Sequence, residues 1–235
     1  MSSVDSLGHS ISELDLVLII DLDETLISIN SFPLWAKYFL LGDFSNLNFY
    51  KRNILRIKAA KIFAERKILG RNHAQTKAAL HKLWLKTGDV SALEIFLQKL
   101  EKTIRPNMRS VLELIAKNKI NAVLATAATS LYAEPFANKI GFSHVISTGI
   151  SEQENRSEEK SRRAQEFLKK QSWEDKKKIF FTDHLEDMPF MLNSDKLMWF
   201  GKPDEVSVIK KSIPNLKIIA CQNLTSEEIL KEVNS

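Results

Sequence analysis

Leu16-Val17-Leu18-Ile19-Ile20-Asp21-Leu22-Asp23-Glu24-Thr25 is the stretch on which the reading of this chain turns. Its first five residues are apolar and partly β-branched, with no polar alternation. Such a run suits a strand buried on both faces of a parallel sheet. It leads directly into two carboxylates, two residues apart. Ligands of open parallel sheets bind beyond the carboxyl ends of the strands, so Asp21 and Asp23 stand where a site is expected. Acidic loop residues also commonly do no more than cap a turn, so the pair must be weighed with the rest of the chain.

Beyond Arg105-Pro106, apolar runs alternate with helical periodicity. The pattern predicts helices over Ser110–Asn118, Leu131–Ile140 and Glu158–Lys170, the second stopped by Gly141. Strands are predicted over Ile120–Ala125, Ser143–Ile146, Lys178–Phe181, Leu197–Phe200 and Leu216–Ala220. Strands separated by single helices imply an α/β fold with a doubly wound, Rossmann-like parallel sheet. From Phe32 to about Ile104 the pattern is helical instead, as in Tyr50–Ile68 and Ala74–Leu85. Gly42, Gly70 and Gly88 punctuate it, and no strand is predicted. The expected organisation is a core of residues 1–31 and 105–235, with a smaller all-helical cap over 32–104.

Composition narrows the class. The 235 residues are 44% hydrophobic and 27% charged, ordinary for a globular protein, and the formal charge is +5. That charge is uneven. Residues 32–105 hold 15 Lys/Arg against 5 Asp/Glu, a net of +10 that leaves −5 elsewhere. Solvated helix faces would explain it, and so would steering of an anionic substrate or a membrane surface. The aromatics interleaved with it (Trp35, Tyr38, Phe39, Phe44, Phe49, Tyr50 and Phe63) lie at helical spacing, which more often marks a core. Nucleic-acid binding is not expected, because no recognised motif accompanies the basic helices. The single cysteine, Cys221, excludes an internal disulfide and reads as a small buried residue. The polar N-terminal stretch has no basic leader followed by an apolar segment, and the expected location is cytoplasmic.

Three further strand ends and helix starts carry chemistry. Thr126 follows the strand Ala122–Ala125, where a hydroxyl can donate to a phosphoryl oxygen or cap the next helix. Lys160 begins a predicted helix, where a point cation can offset phosphate charge, though a surface lysine is the commoner case. Phe180-Phe181-Thr182-Asp183 again runs from strand to acid. A helical turn there would bring Asp183 and Asp187 to one side. Together such acids could hold Mg²⁺, which prefers carboxylate oxygens and water. One carboxylate of Asp-x-Asp could attack phosphorus, and the other could carry a proton to the leaving group.

The order Asp21-Leu22-Asp23-Glu24-Thr25, Thr126, Lys160, Asp183…Asp187 resembles the haloacid-dehalogenase-like superfamily. The helical insert, Ser31-Phe32, Arg105-Pro106 and Asp183-x-x-x-Asp187-x-Pro189 look like its phosphoserine-phosphatase-like branch. The resemblance implies Asp21 as phosphoryl-accepting nucleophile and Asp23 as general acid/base. It implies Thr126 and Lys160 on the phosphoryl oxygens, with Mg²⁺ held by Asp21, Asp23, Asp183 and Asp187. Two departures stand out. Glu24 occupies a position that is often Gly, and residues 26–42 lack the acid that would pair with a substrate ammonium. A phosphoamino acid is therefore disfavoured. The expected activity is hydrolysis of a small phosphorylated metabolite. A phosphatase or phosphotransferase acting on a lipid or larger substrate is the second reading. A non-catalytic regulatory protein on the same fold is the third.

Overall fold

The computed structural model describes residues 15–42, 44, 47–87, 89–117, 119–150 and 153–235. Gly88 and Asn118 fall outside them. Six strands form one all-parallel sheet: β1 (Leu16–Ile20), β2 (Asn121–Thr129), β3 (Val145–Thr148), β4 (Lys177–Thr182), β5 (Lys196–Trp199) and β6 (Lys217–Ala220). Their order is β3-β2-β1-β4-β5-β6. The apolar run Leu16–Ile20 is β1, central and buried at all five positions. Val17 and Ile19 face one apolar layer, and Leu16, Leu18 and Ile20 the other, which is why the run does not alternate with polar residues.

The chain winds from β1 to β2 and β3 on one side, then returns to β4, β5 and β6 on the other. The switch point therefore lies at the carboxyl ends of β1, β2 and β4. Ile20 is opposite Leu124 on β2 and Phe181 on β4. Asp21, Thr126 and Asp183 follow those paired residues within two positions, so register alone brings them to one end of the sheet.

Between β1 and Arg105 the chain forms four α-helices: α1 (Ser31–Leu41), α2 (Phe49–Ile68), α3 (His73–Leu85) and α4 (Val90–Glu101). The chain leaves and re-enters this segment side by side, where Ile27 and Ile104 form an antiparallel bridge. Ser28 N donates to Thr103 O at 2.8 Å beside it. Trp35, Tyr38, Phe39 and Phe44 are buried with Trp84 and Phe96, as their spacing implied. Phe49 and Tyr50 are not; both lie exposed.

The remaining helices are α5 (Arg109–Ala116), α6 (Ser130–Lys139), α7 (Ser157–Lys170), the single turn α8 (Met188–Met191), α9 (Glu205–Ser212) and α10 (Ser226–Val233). Gly141, just past α6, has φ +99°, and a Cβ there would lie 2.7 Å from Ala116. Only glycine meets both demands. β2 continues to Thr129 instead of ending at Ala125, with its pairing to β3 interrupted between those residues. Thr126 thus sits at a break within the strand. The α6 cap position belongs to Thr129, whose hydroxyl pairs with His81 Nδ1 at 2.8 Å instead of capping. β3 begins at Val145, two residues later than expected, and α9 and α10 are additions to the expected pattern.

Candidate active site

The turn after β1 is wide. Leu26 N and Ile27 N donate five residues back, to Asp21 O and Leu22 O. Glu24 holds its tightest position, at φ +56°. A Cβ is disfavoured in that region, which accounts for the glycine expected there. Arg105, at the return from the insert, donates from Nη2 to Glu24 O at 2.8 Å and holds the strained turn. The turn points Asp21 and Asp23 into one cleft.

That cleft encloses about 240 Å³. Asp21, Asp23, Thr126, Lys160, Asp183 and Asp187 all line it, so the structure brings all six expected residues together. Lys160 is buried and donates to Asp21 Oδ1 at 3.1 Å and Asp187 Oδ2 at 2.8 Å. Thr182 Oγ1 donates to the same Asp187 oxygen at 2.6 Å. Thr25 Oγ1 donates to Asp183 Oδ1 at 3.0 Å. Asp23 Oδ1 accepts from Ser31 N, at the start of α1, at 2.7 Å. Ser31 Oγ in turn meets Tyr132 OH at 2.8 Å, so the orientation of Asp23 is set through two elements. Thr126 Oγ1 accepts from Ala128 N at 3.0 Å, leaving its hydrogen to point elsewhere.

Burial and crowding govern the protonation of these groups. Burial raises Asp21; Lys160 opposes it, while Asp187, Asp183 and Asp23 reinforce it. Burial also raises Asp23 against the hydrogen bonding of Ser31, and lifts Asp183 to about 6. Burial works against a charged Lys160, but the adjacent Asp187 and Asp21 outweigh it and raise the ammonium above its ordinary value. The cluster is thus short of positive charge.

Its donors fit a hard divalent cation. They are carboxylate oxygens that burial disfavours as anions, and a cation would reverse that. Asp187 differs from the others, since Lys160 and Thr182 already share one of its oxygens. Among the described residues, no three His, Cys, Asp or Glu side chains converge as a complete ligand set. Mg²⁺ commonly uses one or two carboxylates and keeps several waters, which Asp21 and Asp183 would suit.

Sequence reasoning missed the groups supplied from the helical insert and the loop before α7. Lys77, on α3, is buried, donates to Ala127 O at 2.8 Å and forms an ion pair with Glu154. His73 Nδ1 lies 3.2 Å from the same Glu154 oxygen and its ring packs edge-on to Phe32, centroids 4.6 Å apart. Burial would raise Glu154, but His73 and Lys77 override it and hold the carboxyl at about 2. The buried Asn155 bridges Thr126 O and Ile146 O across the break in β2, at 3.0 Å each. Arg156 pairs with Glu186 at the rim. A lone buried-side lysine in an α3-like pattern gives no sequence signal for its distant partner.

An open parallel sheet with an acid-lined cleft at its switch point places the chain among the doubly wound α/β proteins. More narrowly, residues 18–192 match the family model of the haloacid dehalogenase-like hydrolases, and the chain belongs to that family. Its fold is similar to that of a Bordetella pertussis Tohama I protein of unknown function (TM-score 0.64, 16% identity, 88% of this chain and 99% of that one). It is also similar to the HAD family hydrolase t0658 of Salmonella enterica serovar Typhi (0.56, 11%, 92% and 70%). An apo phosphoserine phosphatase shares the fold as well (0.53, 11%, 92% and 97%). No curated protein matches the sequence.

Proposed function

We propose that the chain is a Mg²⁺-dependent phosphomonoesterase acting on a small phosphorylated metabolite through an aspartyl-phosphate at Asp21. The observation that carries this is the convergence of Asp21, Asp23, Asp183 and Asp187 with Lys160 and Thr126 on one cleft. A Mg²⁺ ion, held by Asp21, Asp183 and the backbone carbonyl of Asp23, with Asp187 acting through water, would offset the repulsion between carboxylate and phosphate.

Asp21 attacks phosphorus, and the bond to the leaving oxygen breaks. Asp23, whose affinity for a proton burial raises, gives its proton to that oxygen. Asp23 then takes a proton from water. The resulting hydroxide attacks phosphorus, and Asp21 leaves as a carboxylate with release of inorganic phosphate. Lys160 and Thr126 steady the phosphoryl oxygens. Asp187 holds the Lys160 ammonium in place. Residues 32–104 act as a cap over the cleft, with Phe32, His73 and Lys77 facing the leaving group.

Substrate size follows from the cleft. At about 240 Å³ it is small, below the usual range of about 300–1,000 Å³ for drug-sized ligands. Twelve of its sixteen lining residues are titratable. Both features favour a compact polar ester over a lipid. Phosphate release from a panel of sugar, nucleotide and amino-acid phosphates tests the reading, with Mg²⁺ and with chelator. Turnover that survives chelation, or that Asp21→Asn retains, overturns it. No turnover of any ester would favour the regulatory reading.

A further inference from the structure

The outward face of α2 carries apolar residues where a solvated helix would carry polar ones. Tyr50, Ile57 and Ile68 are 72%, 69% and 77% exposed. Their spacings of seven and eleven residues place them in one line along the helix, with the small Ala64 between. The opposite face meets the protein through Leu55 and Ala59, both buried. At twenty residues, α2 is about 30 Å long. It bears seven Lys/Arg and one Glu, and Arg71 takes up that Glu65 at 2.6 Å.

A second feature adjoins this line. Between α2 and the end of α3 lies a groove of about 160 Å³, floored in part by Leu47, Ile54 and Leu83. Lys51, Lys58 and Lys86 rim it. Among the described residues no carboxylate pairs with any of the three. An apolar floor with an unneutralised cationic rim complements an anionic amphiphile. The floor takes hydrocarbon, and the lysine stems lie along it while their ammonium groups reach head-group phosphates.

We infer that the outer face of α2, with its lysine-rimmed groove, docks the protein on a membrane surface rich in anionic phospholipid. Tyr50, Ile57 and Ile68 enter the boundary between head groups and acyl chains, and the flanking lysines pair with phosphates. α2 is too charged to cross a bilayer and lies in its plane; no described helix is long and apolar enough to span one. The docking face lies outside the candidate cleft, so docking is separable from hydrolysis.

Co-sedimentation with vesicles of phosphatidylcholine alone, or mixed equally with phosphatidylglycerol, tests the inference. Binding should be about tenfold or more stronger to the mixed vesicles and should fall as salt rises. Ile57→Glu/Ile68→Glu should abolish it. Lys51→Glu/Lys58→Glu should remove the preference for anionic lipid. Both variants should hydrolyse a soluble ester at the wild-type rate, which also shows that they are folded; if no ester is turned over, unchanged circular dichroism replaces that control. Equal binding to both vesicle types overturns the inference, as does wild-type binding by either variant. A dimer in solution that Ile57→Glu/Ile68→Glu dissolves, without vesicle binding, assigns the face to a second copy instead.

Discussion

Replacing Glu154 with Gln should loosen the join between the helical segment that carries Lys77 and the loop before α7. Glu154 is 13% exposed and its partner Lys77 5%, so the pair is screened little by water. Folding lowers the carboxyl from 4.5 to about 2, which corresponds to about 3 kcal/mol of stability near neutral pH. Loss of one member of a buried ion pair typically costs about 3–5 kcal/mol. Gln can still accept from Lys77, so the expected loss for Glu154→Gln is about 2–3 kcal/mol in urea unfolding at neutral pH. The sign of its pH dependence is fixed. Because the folded value is depressed, the contribution is complete above 4.5 and is lost as pH falls toward 2. The gap between wild type and variant should therefore shrink to less than half by about pH 3. Lys77→Met should cost a similar amount, and the double variant less than the sum, with a coupling of about 2 kcal/mol. A loss below about 0.5 kcal/mol, or a gap that does not change with pH, would refute a stabilising role for this ion pair.

Four further outcomes follow. Asp21→Asn should lower phosphate release by about a thousandfold or more, and Asp23→Asn by about a hundredfold to ten-thousandfold; near-normal turnover by either removes it from its proposed role. Added Mg²⁺ should raise the melting temperature more at about pH 8 than at about pH 5. Folding raises Asp183 to about 6, so without the ion the protein loses stability as pH rises from about 4 through 6, and an equal shift at both values would count against cation binding there. Glu24→Gly should stabilise the protein by about 1 kcal/mol by relieving φ +56°, and a loss of that size in urea unfolding would show that the Glu24 side chain does more than occupy the turn. A Cβ on Gly201 would lie 2.1 Å from Asp183 O and 2.2 Å from Trp199 Cζ2, so Gly201→Ala should cost about 2 kcal/mol and displace Asp183; unchanged stability and turnover would exclude that.

What the sequence made legible depends on how each residue is held. Asp21, Thr126 and Asp183 were placed by strand register, and register follows from apolar runs that can be counted. Lys160 could be chosen because it starts a helix of clear periodicity. The limits of that legibility are equally physical. Lys77 and Glu154 lie 77 positions apart, and only the packing of α3 against the loop before α7 joins them. Neither has a local pattern that distinguishes it from a surface charge. The end of β2 was misplaced because Asn155 sustains it past Ala125 by bonding to Thr126 O and Ile146 O, again a contact across the fold. Aromatic spacing failed in the opposite direction. Phe49 and Tyr50 share the periodicity of Trp35 and Phe39, yet the latter pair meets Trp84 and α2 turns Tyr50 outward. Periodicity reports that a helix has an apolar face; it does not report what covers that face. On α1 the cover is the rest of the cap. On the outer side of α2 the described residues leave Tyr50, Ile57 and Ile68 exposed, and the lysines beside that line point to an anionic cover.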